Sequence, residues 1–316
     1  MSPILKVALP LLIGVALVWY SLSKISISEL VQYFKDADYF WISIGVGFGV
    51  LSHLSRAYRW LFMVEPLGYK PKFANSLMSV YSAYIINFTI PRAGEVARAS
   101  IITNYEGIPF EKTFGTIVAE RVADTIMLLI VILIALGLEY EFIYQYFSER
   151  FKLSTLIIGI VGLIIIACLG LIFIKKSQSK FAIKVRNFVI GLIEGAMSIF
   201  KIKKKWAFIA HTLFIWAMYV LMFYVTSFAL VDLEGVSIAA ILIGFILASF
   251  SIAATNGGIG SFPEAVVIAF AIFGLAEDPS RAFGWIMWSS QTLMIIVLGG
   301  LSLIYLPIYN RKQKEV

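Results

Sequence analysis

The sequence predicts an all-α polytopic membrane protein with six full crossings, two re-entrant helical hairpins, an inverted repeat and both termini in the cytoplasm. Three observations predict it. Sixty per cent of the 316 residues are apolar and only 14% are charged, against about 25% charged in an ordinary soluble domain. Mean hydropathy is +0.90. Apolar runs of about 20 residues, the helical length that crosses a hydrocarbon core, recur along the chain.

The first run, 4–23, is long for a signal-peptide core and lacks a small-x-small cleavage site, so it reads as a retained first span. The runs 39–63, 111–138, 153–174, 206–231 and 281–307 are the other five crossings. Between them lie two pairs of shorter pieces: 75–90 with 94–104, broken at Pro91, and 237–255 with 262–275, broken at Gly257-Gly258-Ile259-Gly260. Cys168, the sole cysteine, sits in the apolar stretch 164–174, which excludes an intrachain disulfide and a multi-cysteine metal site. No stretch outside the spans is long enough to fold as a separate catalytic domain. The reading is a single membrane domain, 1–316.

The net charge of +7 concentrates beside apolar runs, which speaks for topology and against nucleic acid. The stretch 175–205 carries nine Lys and Arg against Glu194 alone, and the tail holds Arg311, Lys312 and Lys314. Both read as cytoplasmic. Loops with Glu139, Glu141 and Glu149, with Asp232 and Glu234, and with Glu277 and Asp278 are poor in cations and read as external. Threading these anchors makes segment 75–104 dip in from the cytoplasm and segment 237–275 from outside. A shift of 169 residues lays Glu95 on Glu264, Phe114-Gly115 on Phe283-Gly284, and 39–62 on 208–231. Half-repeats 1–138 and 153–310 then share the order span, surface helix, span, broken hairpin, span, with opposite topology, as in many transporters.

Ionisable residues inside spans are costly and are functional candidates by default. His53, Arg56 and Arg59 fall at three-residue spacing on one stripe of the second span. Guanidinium forks suit a phosphate; the bland alternative is that both arginines snorkel to the interface. In Asn87-Phe88-Thr89-Ile90-Pro91-Arg92-Ala93-Gly94-Glu95-Val96-Ala97-Arg98, a short helix starts inside the membrane. Its free N–H groups would favour an anion held with Arg92 and Arg98; the alternative is a solvated cytoplasmic helix-turn-helix. Glu120-Arg121-Val122-Ala123-Asp124 lies about ten residues into its span, near mid-bilayer. Glu120 and Asp124 share a face with Thr113 and Thr116, and either couple transport to a cation or form a structural ion-pair cluster.

The fourth group is Asn256-Gly257-Gly258-Ile259-Gly260-Ser261-Phe262-Pro263-Glu264. Gly258 and its neighbours permit close approach, while Ser261 and Glu264 have capping-box spacing, which makes Glu264 a cap in the bland reading. No strand precedes the glycines and no Lys-Ser/Thr follows, so a nucleotide loop is rejected. Arg56, Arg59, Arg92, Arg98 and Arg121 outnumber Glu95, Glu120, Asp124 and Glu264 by one. The excess favours an anionic head group.

These groups resemble the motifs of the flippase-like family named for the membrane region of lysylphosphatidylglycerol synthase. The matching residues are Arg56-x-x-Arg59-Trp60, Asn87 with Pro91-Arg92-Ala93-Gly94-Glu95 and Arg98, Glu120-Arg121-x-x-Asp124, and Gly257-Gly258-x-Gly260 with Glu264. The order and the multi-span frame agree over nearly the whole chain. The resemblance implies a membrane domain with re-entrant helices that translocates lipids such as aminoacylated phosphatidylglycerol. Two departures stand out. No soluble aminoacyl-transfer domain accompanies the spans, so lipid synthesis is not implied, and Glu264 lies four residues after Gly260 where the family more often has three.

The resulting expectation is a non-enzymatic lipid transporter of the inner (cytoplasmic) membrane, without metal or cofactor. It would move an anionic phospholipid or a polyprenyl-phosphate-linked lipid down a gradient or coupled to one. The alternatives are a membrane glycosyl or phosphoryl transferase with a lipid-linked donor, and a non-transporting scaffold.

Overall fold

The computed structural model describes residues 3–90, 93–141, 177, 179, 182–183 and 202–311. All regular elements among the described residues are helical. They are α1 (Pro3–Ser23), α2 (Ile27–Asp36), α3 (Tyr39–Val64), α4 (Phe73–Thr89), α5 (Gly94–Glu106), α6 (Phe110–Leu138), α7 (Lys205–Ser227), α8 (Ile238–Ala254), α9 (Ser261–Ala271) and α10 (Glu277–Tyr309). The chain forms two compact units, one of residues 1–118 with 202–316 and the other of residues 119–201.

Three helices are long and apolar enough to cross a membrane: α6, α7 and α10. A fourth span results if Leu12–Ser23 and Ile27–Asp36 count as one segment bent by 84°. The bend has a local cause. Ser26 caps α2 by accepting the Glu29 N–H at 3.1 Å, and none of the residues of α2 is buried. The helix α3 has 26 residues, about 39 Å at 1.5 Å each. It is not among the apolar spans because glycine, serine, histidine and arginine dilute its apolar content. The predicted crossing 153–174 and most of the basic stretch 175–205 lie outside the described residues.

Both broken segments fold as helical hairpins. In the first, α4 ends at Thr89, and Ile90 is extended (φ −128°, ψ 114°), as the residue before a proline prefers. Its helices run antiparallel: Glu106, the last residue of α5, accepts from the backbone N–H of Lys72 at 3.0 Å and from Asn75 Nδ2 at 2.6 Å. At the tip, Asn87 Oδ1 accepts the Gly94 N–H at 2.7 Å. A Cβ on Gly94 would collide with the Ala83 carbonyl oxygen and the Asn87 side chain. Only glycine allows the approach.

In the second hairpin, α8 is capped by Ser237, which accepts the Ala240 N–H. The turn to α9 runs through Gly257, Gly258 and Gly260 at φ of 65°, 79° and 69°, a region that residues with a Cβ enter at a cost.

The helix α10 is the spine of the larger unit. Near its start Arg281 meets Glu264 in the first turn of α9 at 2.8 Å. Further on, Trp288 Nε1 donates to the Gly257 carbonyl at 2.8 Å. Gly299 abuts Tyr81 and Ile85 of α4. At the far end Asn310 and Asn75 exchange amide hydrogen bonds at 2.8 and 2.9 Å. The hairpins therefore approach from opposite ends of α10 and meet at their tips, where the Phe88 ring packs on Gly257. An aromatic core fastens the second hairpin: Phe223 of α7 meets Phe283 at 5.0 Å, and Phe283 stacks on Phe270 at 5.8 Å.

Candidate functional site

In the larger unit, His53, Arg56 and Arg59 form a stripe on α3 that turns inward. Arg56 and Arg59 are 2% and 0% exposed, so they do not snorkel. Arg56 Nη2 donates to the Tyr219 hydroxyl at 3.2 Å, and Arg59 Nη1 donates to Thr212 Oγ1 at 2.8 Å. Thr212 and Tyr219 are seven residues apart on α7, two turns along one face. Ser55 and His211 add a hydrogen bond at 2.8 Å. The seam between α3 and α7 is thus polar from Ser55 to Arg59. The Arg59 guanidinium also lies 5.2 Å from the Phe208 ring centroid, a cation–π contact.

Arg98 of α5 is equally buried, at 2% exposure, and stacks 5.2 Å from the Trp60 ring centroid. It is not a solvated helix-turn-helix residue. Trp60 is fully buried and donates Nε1–H to Thr116 Oγ1 at 3.0 Å. Trp60 follows Arg56 by one helical turn, so Arg98 packs on α3 one turn from Arg56. Glu95, half-buried in the first turn of α5, precedes Arg98 by one turn. Pro91 and Arg92 lie outside the described residues. Asn87 acts at the break itself, supplying the first N–H of α5 with an acceptor that the helix cannot provide.

The smaller unit contains Glu120, Arg121 and Asp124 of α6. Glu120 and Asp124 are buried, whereas Arg121 is 43% exposed and pairs with Asp124 at 3.7 Å. With Arg121 half-exposed, a pair of this length contributes about 0–1 kcal/mol.

At the tip of the second hairpin Asn256 is buried, and Thr255 Oγ1 accepts the Gly258 N–H at 3.1 Å. Glu264 corrects the capping-box reading. The N-cap of α9 is Gly260, with no side-chain cap, and Ser261 turns its hydroxyl to Thr255 at 3.0 Å. Glu264 instead accepts from Ser21 Oγ of α1 at 2.6 Å and from Arg281 Nε at 2.8 Å. A guanidinium is a stronger partner for a half-buried carboxylate than a helix N–H.

Sequence reasoning missed Arg281, which is 2% exposed and also meets Glu277 and Asp278, each at 3.4 Å. It opens an apolar run, where a cation reads as a border residue. Acidic residues three and four positions before it were the signal. Arg281 also alters the charge balance, since Glu264 is engaged there. The neutral partners Thr212 and Tyr219 carried no signal that pattern alone could find. Among the described residues, no three His, Cys, Asp or Glu side chains group as metal ligands.

Comparison with known proteins gives two matches. The family described as "Lysylphosphatidylglycerol synthase TM region" matches residues 7–300. A UPF0104 membrane protein of Methanocaldococcus jannaschii is 25% identical over 218 residues, covering 64% of this chain and 65% of that protein. The chain thus spans just under two thirds of the length of this curated relative. No solved structure matches the chain.

Proposed function

The chain belongs to the family of the lysylphosphatidylglycerol synthase TM region, and from that premise we propose that it carries a lipid with an anionic head group between the leaflets of a membrane. One observation carries the reading: Arg56, Arg59 and Arg98 are all enclosed by protein, the first two on α3 against α7 and the third against Trp60 of α3, on a hairpin whose tip is tied by Asn87 and Gly94. Insertion scales put an arginine at the centre of a spanning helix at a cost of about 2.5–3.5 kcal/mol. Three of them, kept in one place and reached by helical breaks, suit a phosphodiester that has left water. Arg92 follows Pro91 in the sequence and is a further candidate for the phosphate, and Glu120 or Asp124 would couple movement to a cation.

The two hairpins support an alternating-access scheme. They come from opposite ends of α10 and touch at Phe88 and Gly257, the arrangement that broken helices take in transporters built from inverted repeats. In this scheme both hairpins are re-entrant. The basic tail that follows Asn310 in the sequence supports a cytoplasmic position for the open end of the first hairpin and for both termini.

The test is reconstitution of the full chain in liposomes with tail-labelled lipids, read as loss of label protection. Phosphatidylglycerol should cross faster than phosphatidylcholine, and Arg59→Gln, Arg98→Gln and Arg92→Ala should each slow it at least about tenfold, the loss of one charge-assisted hydrogen bond. No movement of any anionic lipid removes the transport reading. Normal rates in all three variants remove the arginine site.

A further inference from the structure

Next to the arginine stripe, on its His53 side, lies a second set of buried polar groups. It differs in kind: it contains no arginine, lysine or carboxylate. Tyr81, Ser82 and His53 are 4%, 0% and 4% exposed, yet the Tyr81 hydroxyl, the Ser82 hydroxyl and His53 Nδ1 make no hydrogen bond within the described residues. Gln291 Nε2 of α10 is likewise buried and without a hydrogen-bond partner. Buried polar groups in folded proteins are almost always hydrogen-bonded, and a group of them along one helix calls for a polar occupant.

His53 and Tyr81 are in contact, and Gln291 sits one turn away along α3. The His53 ring packs edge-on against Tyr81 at 5.3 Å and Tyr84 at 4.6 Å. Gln291 Oε1 lies 2.5 Å from where a Cβ on Gly49 would sit, one turn before His53 on α3. Arg56 follows His53 by three residues. Along α3 the order is therefore amide, imidazole with phenol, guanidinium, in steps of one helical turn, about 5 Å. That spacing matches the distance from a phosphodiester to the hydroxyls of a polyol attached to it.

We infer that the seam of α3, α4 and α10, with Tyr81, His53 and Gln291, binds the hydroxyl groups of a polyol or glycosyl head group whose phosphate rests on Arg56. The chemistry is specific. Hydroxyls both donate and accept, as does the phenol, an imidazole offers ring nitrogens, and the amide supplies two donors. Aromatic rings beside such groups cover the apolar C–H faces of a sugar or inositol. A primary ammonium, as on an aminoacyl head group, would want a carboxylate, and this set contains none. This inference rests on the transport reading for the identity of the ligand as a lipid, and the following experiment separates the two.

The full chain in nanodiscs is titrated with three monoanionic lipids: phosphatidylinositol, phosphatidylglycerol and phosphatidylethanol, which has the same phosphodiester and no head-group hydroxyl. Binding is followed by native mass spectrometry, and flipping of the same lipids is followed in liposomes. We expect phosphatidylinositol to bind most tightly and phosphatidylethanol least, with about a threefold to tenfold gap for each hydroxyl that finds a partner. Tyr81→Phe and Gln291→Leu should each bring the ratio toward one. Tyr81→Phe should keep or raise the melting temperature, because it deletes a buried hydroxyl without a protein partner. Equal binding of all three lipids, or an unchanged ratio in both variants, overturns the inference and leaves transport standing if the lipids cross. Selective binding with no crossing keeps the inference and removes the transport reading. No binding of any of the three removes both.

Discussion

The Phe88 ring lies against Gly257, so closely that a Cβ on the glycine would overlap it. Each residue stands at the tip of its own hairpin, and their contact is where the two meet. Gly257 also has φ +65°. Two costs therefore act on Gly257→Ala: about 1–2 kcal/mol for a left-handed residue with a Cβ, and about 1–3 kcal/mol for overpacking. Thermal unfolding of the detergent-solubilised protein measures the sum. Adding Phe88→Ala should recover the second part and leave the first. Recovery of the whole loss would show that the backbone conformation contributes nothing.

The hydrogen bond from Gly94 N to Asn87 Oδ1 makes a different prediction. Asn87→Ala removes the acceptor of the Gly94 N–H and should lower stability by about 1–3 kcal/mol, whereas Asn87→Asp keeps an acceptor in place. Hydrogen exchange at the first turn of α5 should rise in the alanine variant and stay near the parent in the aspartate one. Equal exchange in both would mean that the break is held by packing alone.

The hairpins were legible because their breaks are chemical: Pro91 denies an N–H and restrains Ile90, and the three glycines adopt φ values that other residues avoid. The ends of the described helices fall within a few residues of the predicted ones for the same reason. Side-chain partnerships were far less legible. Arg59 meets Thr212, 153 positions away, and Asn75 meets Asn310, 235 positions away; no local pattern encodes such pairs. Glu264 shows how a local pattern misleads. Its spacing from Ser261 satisfies a capping box, but the tertiary fold offers Arg281 and Ser21, and a charged donor outcompetes a backbone amide.

Arg281 leads to a third prediction. With the guanidinium buried and three carboxylates around it, its removal leaves Glu264, Glu277 and Asp278 near one another without their common cation. Arg281→Leu should cost about 3–5 kcal/mol, the range for breaking a buried pair from one side. Ser21→Ala removes one neutral donor to Glu264 and should cost about 1 kcal/mol. In a double-mutant cycle, Glu264→Gln combined with Arg281→Leu should be less damaging than the sum of the two. Strict additivity would mean that the pair contributes through packing and not through charge.

The last prediction separates charge from shape at Arg98. Lysine keeps the positive charge but lacks the planar fork and stacks less well on an indole. If Arg98 only supplied positive potential near Trp60, Arg98→Lys would transport an anionic lipid like the parent, and Arg98→Gln alone would fail. If the guanidinium grips a phosphate through paired N–H groups while Trp60 holds it flat, lysine should fail nearly as badly. The loss of one charge-assisted hydrogen bond corresponds to about 10–150-fold in rate. Trp60→Phe discriminates further: it retains an aromatic face for Arg98 but loses the N–H bonded to Thr116. On the bidentate reading it should lie between the parent and Arg98→Lys in initial flip rate. A lysine variant at parental rate would reduce Arg98 to a point charge and take the phosphate grip away from α5.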